Sequence, residues 1–111
     1  MKGTAVPLVL RILAQGPQHG YGIIQEIRER SGGVVEFTEG TIYPLLHTLE
    51  REHLLSSSWE VLPSGRRRKL YSLTETGVQR LTQLTADWRQ FRSAVDAILS
   101  DGEVVPRWGL S

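Results

Sequence analysis

Arg66, Arg67, Arg68 and Lys69 are consecutive and directly follow Pro63-Ser64-Gly65. Four adjacent cations at a turn are suited to holding phosphate. Alternation along a strand sends Arg67 and Lys69 to one side and Arg66 and Arg68 to the other, so the four do not all meet one groove. A second candidate set lies upstream on a helical period. Ile42, Leu45, Leu46 and Leu49 recur at i, i+3, i+4 and i+7 and make one apolar stripe. At about 100° per residue, Gly40, Pro44, His47 and Arg51 fall on the opposite face, flanked by Tyr43 and Thr48. Gly40 admits close backbone approach, Thr41 and Tyr43 carry hydroxyls that reach phosphates or bases, and His47 donates or accepts. The first two turns of this helix hold no Arg, Asn or Gln. Bidentate reading of guanine or adenine is therefore not visible, and shape and half-site spacing are left to carry much of any specificity.

Other chemistries find no support. His19, His47 and His53 are not a metal set: His47 and His53 lie on different faces of one helix, and no carboxylate pair completes a site. The chain has no cysteine, hence no disulfide framework and no thiolate site. No nucleophile has a nearby base, and there is no phosphate loop and no metal motif, so we expect no catalysis and no cofactor.

A length of 111 residues indicates one domain, and 40% hydrophobic residues suffice for a modest core. No run approaches the roughly 18 apolar residues of a membrane span. The segment MKGTAVPLVLRILAQG is broken by Arg11 and lacks a small-residue cleavage pattern, so it reads as a helix of the fold and not as a signal peptide. A cytoplasmic location is expected. The net charge of +1 is uninformative, but its placement is not: residues 1–74 carry 9 Lys/Arg against 7 Asp/Glu, and four of the nine stand at 66–69.

The elements that must position these residues follow from capping and period. A first helix is expected over Ala5–Gln15, with Thr4 as cap, Pro7 in its first turn and Gly16-Pro17 as its stop. A second spans Gly20–Ser31, its inner face made by Tyr21, Ile24 and Ile27 with Ile23 beside them, and ends at Gly32-Gly33. Thr38 is the natural N-cap of the third. Pro44 is awkward there, because it removes one ladder bond and presses on the carbonyl of Gly40. Either the helix starts later or its first turn is distorted, and both outcomes leave outward-pointing amides near Gly40 and Thr41. Two strands, Leu55–Val61 and Arg68–Leu73, flank the turn, and Trp59 is expected to pack this hairpin on the core. Thr74 caps a last helix from Glu75 to about Leu99.

In that last helix Leu81, Trp88 and Val95 are seven apart, and so are Leu84, Phe91 and Ile98, three residues later. This is an a/d seam over nearly three heptads. Such a helix, about 37 Å long at 1.5 Å per residue, outruns a core of some 70 residues, and an identical seam on a second chain is the economical cover. Residues 1–74 are thus read as a winged helix-turn-helix, 75–99 as a dimerisation helix, and 100–111 as a flexible tail in which Trp108 and Leu110 could pack. The fold class is mainly α with a small β-hairpin.

HGYGIIQEI (19–27), EGTIYPLLHTLE (39–50), GRRRKLYSLTETG (65–77) and the Trp of LTADWRQF (84–91) together resemble the PadR family of transcriptional regulators. The resemblance spans residues 5–99. The single short C-terminal helix looks like the compact subgroup, which dimerises through it, and some compact members sense planar aromatic compounds in that interface. The resemblance implies a homodimeric, ligand-responsive repressor on a pseudo-palindromic operator in double-stranded DNA. The expected DNA surface comprises Tyr21, Thr38, Gly40, Thr41, Tyr43, Pro44, His47 and the cations Arg66, Arg67, Arg68 and Lys69. The expected dimer seam is Leu81, Leu84, Trp88, Phe91, Val95 and Ile98. A small aromatic effector would meet Trp88 and Arg92, with Arg89 near, and these cations suit a neutral or anionic aromatic better than a cationic one. Two alternatives remain: a ligand-independent winged-helix regulator of another family, and a winged-helix protein-interaction module with neither DNA binding nor effector response.

Overall fold

The computed structural model describes residues 3–100 together with 102, 104, 106 and 108. Its elements run α1 (Ala5–Leu13), β1 (Gln18–His19), α2 (Gly20–Arg30), α3 (Glu39–Arg51), β2 (Leu55–Val61), β3 (Arg67–Leu73) and α4 (Glu75–Leu99). The strands form one antiparallel sheet in the order β1-β3-β2. The expected hairpin is therefore joined by a third strand. Gln18 stands opposite Tyr71 and His19 opposite Leu70. Two residues are too few to show a period, and Gly16-Pro17 signals only a break, so this strand left no pattern to read.

The apolar stripes converge on one core. Val9, Leu10, Ile12 and Leu13 of α1 meet Ile23 and Ile27 of α2, Ile42, Leu46 and Leu49 of α3, and Leu54, Leu55, Tyr71 and Leu81. Leu45 and Ile24 are half-buried at its margin. Burial of each such Leu or Ile contributes about 1.5–3 kcal/mol relative to exposure. Tyr21 departs from its expected inner position: it is half exposed, because Ile23 and Ile27 already supply the inward face of α2. The α1 helix ends at Leu13, two residues early, and the amides of Gln15 and Gly16 close tighter turns on Ile12 and Leu13. Thr4 does not cap α1 with its side chain, its backbone already being helical.

Caps fix the other boundaries. Thr38 Oγ1 accepts from the Thr41 amide, and Thr74 Oγ1 from the Gly77 amide. The α3 helix starts at Glu39 and carries Pro44 inside it, so the later start is excluded. At its other end the amide of Leu54 bonds to the Leu49 carbonyl and that of His53 to Glu50, a Schellman closure. His53 takes the left-handed position, φ 61°, that glycine usually fills. The Thr74 hydroxyl lies 2.7 Å from the His53 carbonyl oxygen and 2.9 Å from that of Leu54. Gly77 sits so close that an added Cβ would lie 2.2 Å from the Leu54 oxygen. The start of α4 is thus docked on the end of α3. No helix among the described residues is long and apolar enough to cross a membrane.

Candidate nucleic-acid interface

The outer face of α3 is open. Thr38, Gly40, Thr41, Pro44 and His47 are exposed, and Tyr43 is 36% exposed. Thr38 Oγ1 also donates to Thr41 Oγ1 at 3.2 Å, so one cap engages both the amide and the hydroxyl of Thr41. Of the two amides expected to be free, Thr41 is therefore committed, and the outward one belongs to Gly40, in the first turn where amides have no intrahelical partner. A Cβ added at Gly40 would meet only Thr38 Oγ1, at 3.8 Å. The fold itself leaves room for a side chain there, and glycine in a helix is destabilising by about 0.5–1 kcal/mol. Its absence serves something outside the chain. Tyr43 has a structural duty too: its ring lies where a Cβ of Gly20 would sit, 2.7 Å away, so the two helices close on each other at that glycine. Glu39 in the first turn offsets the positive helix end and weakens it as a phosphate seat. Further along, Thr48 donates to the Pro44 carbonyl at 3.1 Å and Arg51 to Thr48 at 3.3 Å.

The hairpin tip is a three-residue loop. Gly65 donates to the Leu62 carbonyl at 2.8 Å and Leu62 to Arg66 at 2.7 Å, with Gly65 at φ 85°. The four cations after it have separate fates. Arg68 Nε and Nη2 both reach Glu60 Oε1, at 3.0 and 2.7 Å, across the strand pair. Lys69 Nζ donates to Glu50 Oε1 of α3 at 2.9 Å and lies 5.3 Å from the centre of the Tyr71 ring. Arg67 stacks on Trp59, its guanidinium carbon 4.8 Å from the ring centre. Arg66 is exposed at the turn. Arg67 and Lys69 share a face and Arg68 takes the other, as alternation requires.

Trp59 does not pack on the core. It is 59% exposed, because the hairpin runs past the core after the Ser57–Tyr71 pair. Ser57, on the same face, donates to Glu50 Oε2. Glu50 thus clamps α3 to both strands. The Ser57 hydrogen bond, and then that of Lys69, hold its carboxyl below the usual carboxylate range. The bond to Glu50 raises Lys69 in turn. Burial pushes the Tyr71 phenol up. On the sheet's other edge His19 is the N-cap of α2, its Nδ1 accepting from the Gly22 amide at 3.2 Å. Burial, and then the Arg68 guanidinium, lower its pKa. Neither carboxylate clamp nor the His19 cap was legible in the sequence. Each joins residues of different elements or fills a position that Ser, Thr, Asp or Asn usually takes.

The α4 seam divides in two. Leu81 is buried and Leu84 half-buried against the chain's own core. Beyond them Trp88, Phe91 and Ile98 are 42%, 48% and 74% exposed, and Val95 is half-buried. The Trp88 and Phe91 rings lie 6.1 Å apart and tilted. Arg92 Nε is 3.7 Å from Asp96. The clefts lined by Gln25, Arg28, Glu29 and Gly33, and by Leu8, Arg11, Ile12, Ile27, Arg30, Ser31 and Val35, do not include Trp88. Trp108 is exposed, and Leu110 lies outside the described residues, as does most of the expected tail. Among the described residues no three His, Cys, Asp or Glu side chains gather as a metal site.

Comparison with known proteins adds to this geometry. The sequence model of the transcriptional regulator PadR-like family matches residues 9–83. A transcriptional regulator of Mycobacterium tuberculosis is 36% identical over 75 residues, 68% of this chain and 66% of that protein. The crystal structure of a PadR family transcriptional regulator from Eggerthella lenta superposes with a TM-score of 0.78 at 31% identity, covering 91% of this chain and 86% of the other. A transcriptional regulator from Clostridium thermocellum superposes with a TM-score of 0.81, over 88% of this chain and 95% of the other; at 22% identity it supports the fold alone.

Proposed function

The chain belongs to the PadR-like family of transcriptional regulators, and from that premise we propose that it acts as a homodimeric, ligand-responsive repressor on a pseudo-palindromic operator. It is a regulator and not an enzyme. The observation that carries the reading is the pairing of an unobstructed α3 face, with Gly40 free of any internal need, and a wing whose Arg66 and Arg67 have no carboxylate partner among the described residues. The helix enters the major groove and the wing meets the adjoining backbone or minor groove. Two such heads, one per half-site, sit about one DNA turn apart when the exposed Trp88–Ile98 part of α4 pairs with its copy.

An effector acts by binding the two arrangements of the heads unequally. The α4 start is docked on the α3 end through Thr74 and Gly77, so a tilt of α4 moves α3 with it. Trp88 is the aromatic platform in the expected interface. Arg92 shares its charge with Asp96, leaving Arg89 as the freer cation beside it. The experiment is binding of the full chain to the DNA upstream of its own gene, with and without a panel of small aromatic compounds, following Trp emission and using Trp88→Phe as control. Salt-dependent binding that an aromatic compound weakens, with an emission change lost in Trp88→Phe, is the expected result. Absence of binding at low salt would instead favour a protein-interaction module.

A further inference from the structure

The wing cations are not equivalent. Glu60 and Glu50 compensate Arg68 and Lys69 within the chain. Arg67 has no carboxylate partner among the described residues and lies over an indole instead. That indole, Trp59, is 59% exposed, and Val61 beside it is 68% exposed. Trp59 and Arg67 stand on the hairpin face that carries Lys69 and its bond to α3, so they project on the helix side of the wing beyond the core. Stacking covers one face of the guanidinium and leaves its N–H edges open. It also narrows the rotamers of a long side chain, so less freedom is lost when the group is inserted into a partner.

We propose that Trp59 is a positioning residue that presents Arg67 to the minor groove flanking the α3 contact, making the pair a reader of groove width that favours narrow, A·T-rich flanks. The inference rests on the DNA-binding reading above. Narrow minor grooves concentrate negative potential and attract an inserted arginine. A planar, weakly hydrated guanidinium already stacked on an apolar surface suits that slot better than a compact, strongly hydrated ammonium. The α3 helix shows little base-reading equipment, which leaves specificity to be supplied elsewhere. Arg66, exposed at the turn and without a ring beneath it, serves as a phosphate contact of no fixed geometry.

The test uses the full chain and duplexes of its own upstream DNA that differ only in the flank, made A·T, G·C or inosine·C. Inosine lacks the amino group that guanine places in the minor groove, so inosine·C resembles A·T there. The wild type is expected to prefer A·T and inosine·C flanks over G·C. Trp59→Ala should reduce that preference about three- to fivefold, the size of one exposed cation–π interaction. Its salt slope should stay that of the wild type, because no cation is removed. Arg67→Lys should behave like Trp59→Ala, and Trp59→Phe should keep most of the preference. A thermal transition at the wild-type position verifies that each variant is folded. Equal flank preference in wild type and Trp59→Ala, or a uniform loss of affinity on all three flanks, overturns the proposal while salt-dependent binding by the wild type stands. No binding by the wild type at low salt overturns the DNA-binding reading itself.

Discussion

Gly40 separates what the fold needs from what a partner needs. Its surroundings admit a methyl group with no neighbour closer than 3.8 Å, and alanine is the better helix former. Gly40→Ala should therefore stabilise the chain by about 0.5–1 kcal/mol while weakening DNA binding, because the methyl stands where a base edge or phosphate approaches. Thermal unfolding and a DNA titration on the same variant check both halves. A stabilised variant with unchanged affinity would remove Gly40 from the interface. His19 makes a second residue-scale case. As a neutral cap it accepts from the Gly22 amide, and burial lowers its pKa from 6.5. The unfolded chain then binds the proton more readily than the folded one. The stabilisation is present above pH 6.5 and is lost as pH falls through the lowered folded value. His19→Asn keeps a side-chain acceptor at the cap and removes the titration. Unfolding measured across mildly acidic pH should show a fall in the wild type that is shallower in His19→Asn.

At the scale of elements, the wing is tied to α3 by Glu50 and braced across its own strands by Glu60. Four cations in sequence thus become two anchors and two available charges. Arg66→Ala combined with Arg67→Ala should weaken binding across all sequences and lower the slope of log affinity on log salt by about one to two, at roughly 0.9 for each phosphate no longer neutralised. Arg68→Ala should change the slope far less, since its charge already faces Glu60. Equal slopes for the double variant and Arg68→Ala would show that the carboxylates release their partners on binding. This difference was not legible in the run Arg66–Lys69, whose residues look alike until strands and helix bring carboxylates from positions 50 and 60 beside them. What was legible is what repeats or caps: the stripe of α3, the alternation of β2 and β3, the hydroxyls of Thr38 and Thr74. The two-residue β1 carried no period. Trp59 looked like a core residue because alternation gives its face but not where the core stops.

For the whole molecule, the exposed half of the α4 seam decides whether the reading head works in pairs. Leu81 and Leu84 belong to the chain's own core, so the substitutions that probe pairing without unfolding it are further along. Phe91→Glu and Ile98→Glu should leave the chain folded and shift it to a monomer in sedimentation equilibrium. Their operator affinity should fall by more than tenfold through lost bivalency, since linked sites gain on the order of 10²–10⁴ over single ones. A folded dimer in both variants would place the interface elsewhere.

A pair of these chains is proposed to read one DNA site through α3 and the wing. The most direct measurement is a stoichiometric titration of the full chain into its own upstream DNA, repeated at rising salt. The predicted result is two chains bound per site, with affinity falling steeply as salt rises. One chain per site would contradict the pairing, and affinity indifferent to salt would contradict the role given to the wing.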